Sequence, residues 1–312
     1  MPKGRVFRST GSWYEVLTEE NTFLPCRTVG KMRLHVTKAT NPIAVGDYVV
    51  YEKTEKEETG VISEVFDRAN YVIRQSPRKK HLLHIIASNI DQAILIVTMR
   101  NPGLKQGFID RYLLMTEPFN IPVYIVFNKG DLYTDDDLEQ FQYLKEIYEK
   151  IGYTVFISSA LENKGITQIR DVLKDKTTLL GGQSGVGKSS LLNVIEPGLD
   201  QRTGTLSEYT GKGQHTTTFA EMFQLPEGGN IIDTPGLKSL SFNYLDAKDV
   251  AHNFKEFFKA SSGCKFADCL HRNEPKCAVK EGIESGNISE LRYQNYTFIL
   301  KEIEEQNSWE RH

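Results

Sequence analysis

The chain has 312 residues, with 38 Lys+Arg against 41 Asp+Glu and a formal net charge of −3. Its 39% hydrophobic and 25% charged content is ordinary for folded domains and excludes a disordered, collagen-like or fibrous chain. No run of eighteen apolar residues offers a membrane span, and Met1-Pro2-Lys3-Gly4-Arg5 has no apolar core of a secretory signal behind it, so a cytoplasmic protein of two or three domains is expected.

Charge is uneven along the chain. Residues 1–87 carry 14 Lys+Arg and 10 Asp+Glu, a net +4; residues 88–312 carry the other 24 and 31, a net −7. A basic head on an acidic body is compatible with a nucleic-acid partner, and equally with a solvated surface. Arg78-Lys79-Lys80-His81 is a sharper cluster, in a recognition patch or an exposed linker.

The head reads as short strands at Trp13–Leu17, Thr22–Arg27, Tyr48–Glu52, Gly60–Val65 and Tyr71–Arg74, separated by turn residues such as Thr10-Gly11-Ser12, Asn41-Pro42 and Gly46-Asp47. Five strands in this length predict a small closed barrel of the OB-fold type, with an SH3-like barrel the alternative. After about residue 88 the rhythm changes. Apolar strands at Asp91–Met99, Pro122–Asn128, Thr154–Ser158 and Thr177–Leu180 alternate with helices at Phe108–Glu117, Asp135–Ile151 and Gly165–Leu173. That alternation means βαβ units and a parallel sheet covered on both faces. Beyond residue 246 the tail reads as helical. Asp246 caps a helix presenting Val250, Phe254, Phe257 and Phe258 on one face, then comes a cysteine-rich knot, and a last helix runs from about Ile288 to Glu305.

The chemistry is concentrated in loops. Gly182-Gln183-Ser184-Gly185-Val186-Gly187-Lys188-Ser189 fits G-x-x-x-x-G-K-[ST], followed by Ser190, between a strand and a helix as the motif requires. Glycines let backbone N–H groups turn in around phosphate oxygens, Lys188 reaches the β and γ phosphates, and the Ser189 hydroxyl ligates Mg²⁺. Asn128-Lys129-Gly130-Asp131 matches the guanine-reading N-K-x-D. A carboxylate at Asp131 accepts from both N1–H and the exocyclic amine of guanine, a donor pair that adenine lacks. The Lys129 stem lies over the base. Ser158-Ser159-Ala160 resembles the element whose backbone N–H meets the guanine carbonyl. Asp233-Thr234-Pro235-Gly236 fits D-x-x-G, with Asp233 serving Mg²⁺ and Gly236 the γ-phosphate. All four fall at strand ends, where open α/β sheets bind ligands. Their order is transposed: the base-reading elements precede the phosphate loop, as a circular permutation allows.

Residues 201–218, rich in Gly and Thr, fit a first switch, with Thr217 completing the Mg²⁺ shell and Thr216 and Thr218 as alternatives. Leu237 stands where many GTPases place a water-orienting Gln, so slow intrinsic hydrolysis is expected. His215 is a candidate to orient the water, against a merely structural role. Cys264, Cys269, His271 and Cys277 supply three thiolates and one imidazole, a full tetrahedral set for one structural zinc. Cys26, alone in the head, reads as a small buried residue.

These motifs, in this order, resemble the ribosome small subunit-dependent GTPase A family across the full chain. The resemblance implies a multidomain protein: an N-terminal β-barrel (OB-fold) over residues 1–80, a central circularly permuted α/β P-loop GTPase domain over 81–245, and a C-terminal α-helical zinc-binding domain over 246–312. It implies a cytoplasmic, monomeric enzyme that hydrolyses GTP to GDP late in small-subunit assembly, binds the small ribosomal subunit and its rRNA, and is stimulated by it. By the same resemblance Lys188, Ser189, Asp233, Asn128 and Asp131 carry nucleotide and Mg²⁺, and the Cys/His set carries zinc. Rival readings are an RNA-binding factor governed by GTP occupancy, a permuted GTPase of large-subunit assembly, and an ATP-dependent kinase-like enzyme.

Overall fold

The computed structural model describes residues 1–28, 41–54, 58–75, 83–197, 220–234 and 245–309. The switch segment 201–218 with His215 and Thr217, the Gly236–Leu237 pair and the basic cluster at 78–81 lie outside them.

The head is a five-stranded barrel built from β1 (Lys3–Ser9), β2 (Tyr14–Thr18), β3 (Phe23–Thr28), β4 (Tyr48–Lys53) and β5 (Gly60–Val65). Its strands run in the order β1-β2-β3-β5-β4, and β4 returns to pair with β1 and close the ring. Alternate side chains fill the interior: Val6, Tyr14, Val16, Cys26, Ile43, Val49, Tyr51 and Ile62 form one buried cluster. Cys26 is fully buried there, and burial pushes its thiol up to about 11, so it is a packing residue as expected.

Two corrections apply to the head. The first barrel strand, β1, carries Lys3, Arg5 and Arg8 and has no apolar pattern to announce it. The predicted strand at Tyr71–Arg74 exists as β6 (Tyr71–Gln75) but belongs to no barrel. It pairs with an unanticipated β7 (Leu83–Ser88) in a separate two-stranded sheet.

The α/β body follows the predicted alternation. Strands β8 (Gln92–Val97), β9 (Val123–Phe127), β10 (Thr154–Ile157), β11 (Thr177–Gly182) and β13 (Asn230–Asp233) are parallel, in the order β10-β9-β8-β11-β13. Helices α1 (Gln106–Thr116), α2 (Asp135–Lys150), α3 (Ile166–Leu173) and α4 (Lys188–Ile195) cover the faces. The chain builds outward from β8 to β10, then returns to lay β11 on the other side of β8. That reversal opens a crevice at the carboxyl ends of β8 and β11. One strand departs from the parallel plan: β12 (Glu221–Gln224) runs antiparallel to β13 and pairs on its other side with β1 of the barrel. Barrel and body thus share one eleven-stranded sheet.

The tail has four helices: α5 (Ala247–Asn253), α6 (Lys255–Ser261), α7 (Ala278–Glu284) and α8 (Glu290–Trp309). Asp246 caps α5 by accepting from the Asp249 N–H, and the Asp249 carboxylate accepts in return from the Asp246 N–H. The single amphipathic helix expected here breaks at Phe254, whose extended backbone (φ −90°, ψ 100°) ends α5 and starts α6. Val250, Phe254 and Phe257 are buried, but the break turns Phe258 to solvent, 56% exposed. The tail's apolar residues join the same core as α1, α2 and β8.

Candidate nucleotide site and metal centre

The phosphate-loop residues lie directly after β11. Gly182, Gly185 and Gly187 all have positive φ (150°, 83° and 91°), so each turn is one an L side chain resists. Space tightens the requirement at Gly187. A Cβ there would lie 2.5 Å from Asn128 Nδ2, which shows how closely the two motifs approach. Gly187 caps α4, and Lys188 opens the helix with its Nζ donating to the carbonyls of Gly182 (2.7 Å) and Gln183 (3.1 Å). Burial lowers the Lys188 pKa, and the nearby Asp233 charge opposes that shift. Ser184, Gly185, Ser189 and Ser190 face solvent at the mouth of the loop, whereas Val186 is buried against the sheet.

Asn128, at the end of β9, is 1% exposed. Its Nδ2 donates to the carbonyl of Val186 in the phosphate loop (3.0 Å), and its Oδ1 accepts from the Ser158 hydroxyl (3.1 Å). One side chain therefore ties together three sequence motifs separated by up to 58 residues. Lys129 adopts a left-handed backbone (φ 63°) and its Nζ donates to the Asn101 carbonyl (2.5 Å). The Gly130 N–H donates to the Ser158 carbonyl at 2.9 Å. Asp131 accepts from the Ser159 hydroxyl, which in turn accepts from the Glu162 N–H. Ala160 follows at the rim, half-buried. Asp233 ends β13, opposite Leu180 of the neighbouring β11, and the Thr234 hydroxyl donates to the Leu180 carbonyl (3.0 Å). A carboxylate at Asp233 and a hydroxyl at Ser189 are hard oxygen donors, the set that suits Mg²⁺ held with a nucleotide's phosphates. Of the predicted site residues, His215, Thr217 and Gly236 fall outside the described chain.

Sequence reasoning missed the wall formed by the segment after β8. The Tyr133 hydroxyl accepts from the Met99 N–H (3.1 Å) and donates to the Asn128 carbonyl (2.7 Å). Arg100 pairs with Asp137 and donates to the Thr134 hydroxyl (3.1 Å). Together with Lys129–Asn101, these contacts fix the N-K-x-D loop to residues 99–101. No motif announces them, because they join turn residues whose partners lie some thirty positions away.

In the tail, one ligand atom each from Cys264, Cys269, His271 and Cys277 falls within 4.8 Å of the others. His271 Nδ1 lies 3.7 Å from Cys264 Sγ and 3.4 Å from Cys277 Sγ. Ligand atoms about 2.0 and 2.3 Å from a tetrahedral zinc stand roughly 3.5 Å apart, so the set fits such an ion. Its frame is preset. His271 has φ 57°, its carbonyl accepts from the Tyr293 hydroxyl (2.7 Å), and the Tyr296 hydroxyl donates to the Leu270 carbonyl (2.8 Å). Glu274 closes the loop by accepting from the N–H groups of Leu270 (2.9 Å) and Arg272 (2.7 Å). Burial lowers the His271 pKa, which favours the neutral imidazole that ligates a metal, and raises the Cys269 thiol to about 12, a cost to its thiolate that binding a cation offsets.

A buried polar seam runs between α1, α2 and the tail helices. Arg292 of α8, 2% exposed, donates from Nη1 to Asp110 Oδ1 of α1 (2.5 Å) and from Nε and Nη2 to Glu256 of α6 (both 2.8 Å). Asp110 also accepts from the Tyr148 hydroxyl of α2 (2.8 Å) and from Asn295 Nδ2 (2.5 Å). The Asp110 carboxylate thus joins α1 and α2 of the α/β body to the metal-bearing tail, beside the Lys255–Glu117 (3.0 Å) and Arg111–Glu302 pairs.

Comparison with known proteins agrees with this architecture. A family model described as RsgA GTPase matches residues 65–243, and one described as RsgA N-terminal domain matches residues 3–62. The chain belongs to the RsgA GTPase family. A small ribosomal subunit biogenesis GTPase RsgA of Flavobacterium psychrophilum is 45% identical over 96% of this chain and 92% of that protein. Its namesake from Bacteroides fragilis strain ATCC 25285 is 45% identical over 97% of each. Among solved structures, YjeQ from Thermotoga maritima superposes with a TM-score of 0.78 at 36% identity, covering 97% of this chain and 98% of that one. YloQ, titled a circularly permuted GTPase, gives 0.75 at 33% identity, over 98% and 96%. Membership makes the chain a GTPase with a permuted core, as its motif order indicated. No helix among the described residues is long and apolar enough to cross a membrane.

Proposed function

We propose that this GTPase acts in biogenesis of the small ribosomal subunit in the cytoplasm, as a monomer that binds the subunit and its rRNA and whose hydrolysis that binding stimulates. The observation that carries the nucleotide reading is the Asn128 bridge. Its 3.0 Å bond to Val186 holds the N-K-x-D loop against the phosphate loop, which supports their serving one nucleotide. In this reading Asp131 accepts from the guanine N1–H and amine, Lys129 covers the base, and the Ser158-Ser159-Ala160 turn meets the guanine carbonyl. Residues 182–190 wrap the phosphates with their N–H groups, and Lys188 leaves the loop carbonyls to neutralise the β and γ oxygens. Ser189, Asp233 and Thr217 hold Mg²⁺, which neutralises charge developing on the phosphates. Gly236 meets the γ-phosphate and His215 orients water where Leu237 cannot. The Cys264, Cys269, His271 and Cys277 set holds zinc and shapes the tail. Residues 1–80 carry the rRNA-binding barrel, whose strands end with β5 at Val65, and residues 81–245 and 246–312 are the GTPase and zinc domains, with β6 and β7 pairing across the first boundary.

The test is phosphate release from GTP with and without purified small subunits, beside the same assay on Asp131→Asn. Strong stimulation, and guanine affinity lost about a hundredfold in the variant, are expected. Absence of stimulation leaves a GTP-occupancy factor instead. Indifference to Asp131→Asn refutes the base-reading assignment.

A further inference from the structure

Among the described residues the shared sheet has one joint between barrel and body, and that joint is charged. Arg8 of β1 stands directly opposite Glu221 of β12, and Glu221 stands directly opposite Asp233 of β13. On its other side Arg8 is opposite Glu15 of β2. Residues directly opposite in a ladder share one face, with Cβ atoms about 5 Å apart; the Arg8–Glu15 pairing follows a register shift in β1 between Val6 and Arg8. Four neighbouring strands therefore carry Glu15, Arg8, Glu221 and Asp233 in a row, anion–cation–anion–anion. The last member is the carboxylate assigned above to Mg²⁺. All four side chains are half-buried, so the row is neither dry nor fully screened. Burial raises the Glu221 pKa, Arg8 opposes that shift, and the Glu15 and Asp233 charges add to it, so these groups feel one another.

Arg8 is the one cation of the row, yet it makes no ion pair within 4.0 Å and no side-chain hydrogen bond among the described residues. Its charge is shared between two carboxylates and its guanidinium donors remain available. A phosphate oxygen is the acceptor that a guanidinium fork fits best. β1 belongs to the barrel, which the reading above gives to rRNA.

We propose that Arg8 is a positioning residue that relays contact between the barrel and a phosphate-bearing partner to the Mg²⁺ site, by screening or releasing the Glu221–Asp233 carboxylate pair. With the barrel free, the Arg8 charge offsets part of the negative field at Asp233 and weakens the hold on a divalent cation. With a backbone phosphate of RNA on Arg8, that offset is cancelled. The two carboxylates then act together and Mg²⁺ is held more tightly. The inference rests on the proposed role of Asp233 in binding Mg²⁺.

The size follows from the spacing. Arg8 is two strand steps, about 10 Å, from Asp233, and a unit charge at that distance from a dication in partly screened surroundings changes its affinity roughly three- to tenfold. Glu221, one step away, acts in the opposite sense and at least as strongly.

The experiment is a Mg²⁺ titration of the full-length protein, read as the midpoint for binding a fluorescent non-hydrolysable GTP analogue. Wild type, Arg8→Gln, Arg8→Lys and Glu221→Gln are compared. Arg8→Gln is expected to lower the midpoint about three- to tenfold, Glu221→Gln to raise it, and Arg8→Lys to stay near wild type. Purified small subunits should lower the wild-type midpoint and leave that of Arg8→Gln unmoved. Opposite signs separate the relay from a loosened joint, which would shift both substitutions the same way. A common direction, or equal midpoints in wild type and Arg8→Gln with Mg²⁺-dependent binding intact, would overturn the relay and leave the GTPase reading standing. Wild-type nucleotide binding indifferent to Mg²⁺ would overturn the relay together with the Mg²⁺ role proposed for Asp233.

Discussion

Replacing Asp110 with Ala tests how firmly its buried carboxylate ties the tail to the α/β body, beside the Lys255–Glu117 and Arg111–Glu302 pairs. Asp110 is 1% exposed and receives three side-chain donors: Arg292 Nη1, the Tyr148 hydroxyl and Asn295 Nδ2. Truncation leaves all three without that acceptor. Removing one partner of a buried ion pair costs about 3–5 kcal/mol. Glu256 still pairs with Arg292 through two 2.8 Å bonds, so the guanidinium keeps a counter-charge and the lower end, about 3 kcal/mol, is expected. At roughly 2–4 °C per kcal/mol for a unit of 150–250 residues, the melting temperature should fall by about 6–12 °C. Calorimetry of the intact protein measures the fall, and limited proteolysis should show α8 cut before the α/β body. The Asp110→Ala/Arg292→Met double variant should be less destabilised than the sum of the singles, because the orphaned cation has gone with its partner. A shift of under about 2 °C for Asp110→Ala, or strictly additive singles, would refute the tie.

Three further outcomes follow from the geometry. Tyr133→Phe removes the hydroxyl joining Met99 N–H to the Asn128 carbonyl, and GTP affinity measured by fluorescence titration should weaken about three- to tenfold while the turnover rate at saturating GTP stays unchanged. Elemental analysis should find one zinc per chain. Its removal by a chelator, or Cys277→Ser, should expose residues 262–278 to protease while nucleotide binding by the body persists. Glu274 has its pKa held below the usual carboxylate value: burial pushes it up, but its bonds from backbone N–H groups outweigh that. Its contribution to stability is therefore present above the unfolded-state value of 4.5 and is lost as pH falls through the lower folded-state value. Melts across that acid range should show a loss in wild type that is smaller in Glu274→Gln.

How much of this was legible in the sequence depended on whether a signal was local. β8 and β9 are buried on both faces, so their sequences are nearly unbroken apolar runs and their limits are legible to within a few residues, whereas β11, Thr-Thr-Leu-Leu-Gly-Gly, is marked by the phosphate loop that follows it. The loops that follow them carry residue types fixed by local chemistry: positive-φ glycines, a lysine opening a helix, an amide and a carboxylate at set spacing. β1 and β12 were invisible for the converse reason. Lys-Gly-Arg-Val-Phe-Arg-Ser and Glu-Met-Phe-Gln are short and heavily polar, and become strands by pairing with partners far along the chain. Tyr71–Arg74 was read as a strand correctly but assigned to the wrong sheet, since periodicity reveals a strand's faces and never its neighbour. The break at Phe254 escaped because Val250, Phe254 and Phe257 keep helical spacing across it.

The transposed motif order has a mechanical meaning that neither motif spacing nor strand periodicity conveys. Asp233 ends the strand flanked by β11, which feeds the phosphate loop, and by β12, whose outer edge is the barrel's first strand. The chain beyond Asp233 enters the tail at Leu245, which is buried in the same core as α1 and α8. Under the proposed assignment the γ-phosphate end is therefore where the body meets the barrel, while the N-K-x-D end is held among β8, β9 and α2 by Asn128, Tyr133 and Arg100. A protein that must sense a large partner with two appendages gains from such an arrangement. In that reading the base-reading half serves as a fixed anvil, and the barrel bears through β12 on the half where hydrolysis removes a phosphate. In the opposite arrangement, with appendages joined at the guanine end, partner contact would change nucleotide affinity with little leverage on the metal. Variants at Arg8 and at Tyr133 should accordingly separate, the first moving Mg²⁺ dependence and the second moving guanine affinity.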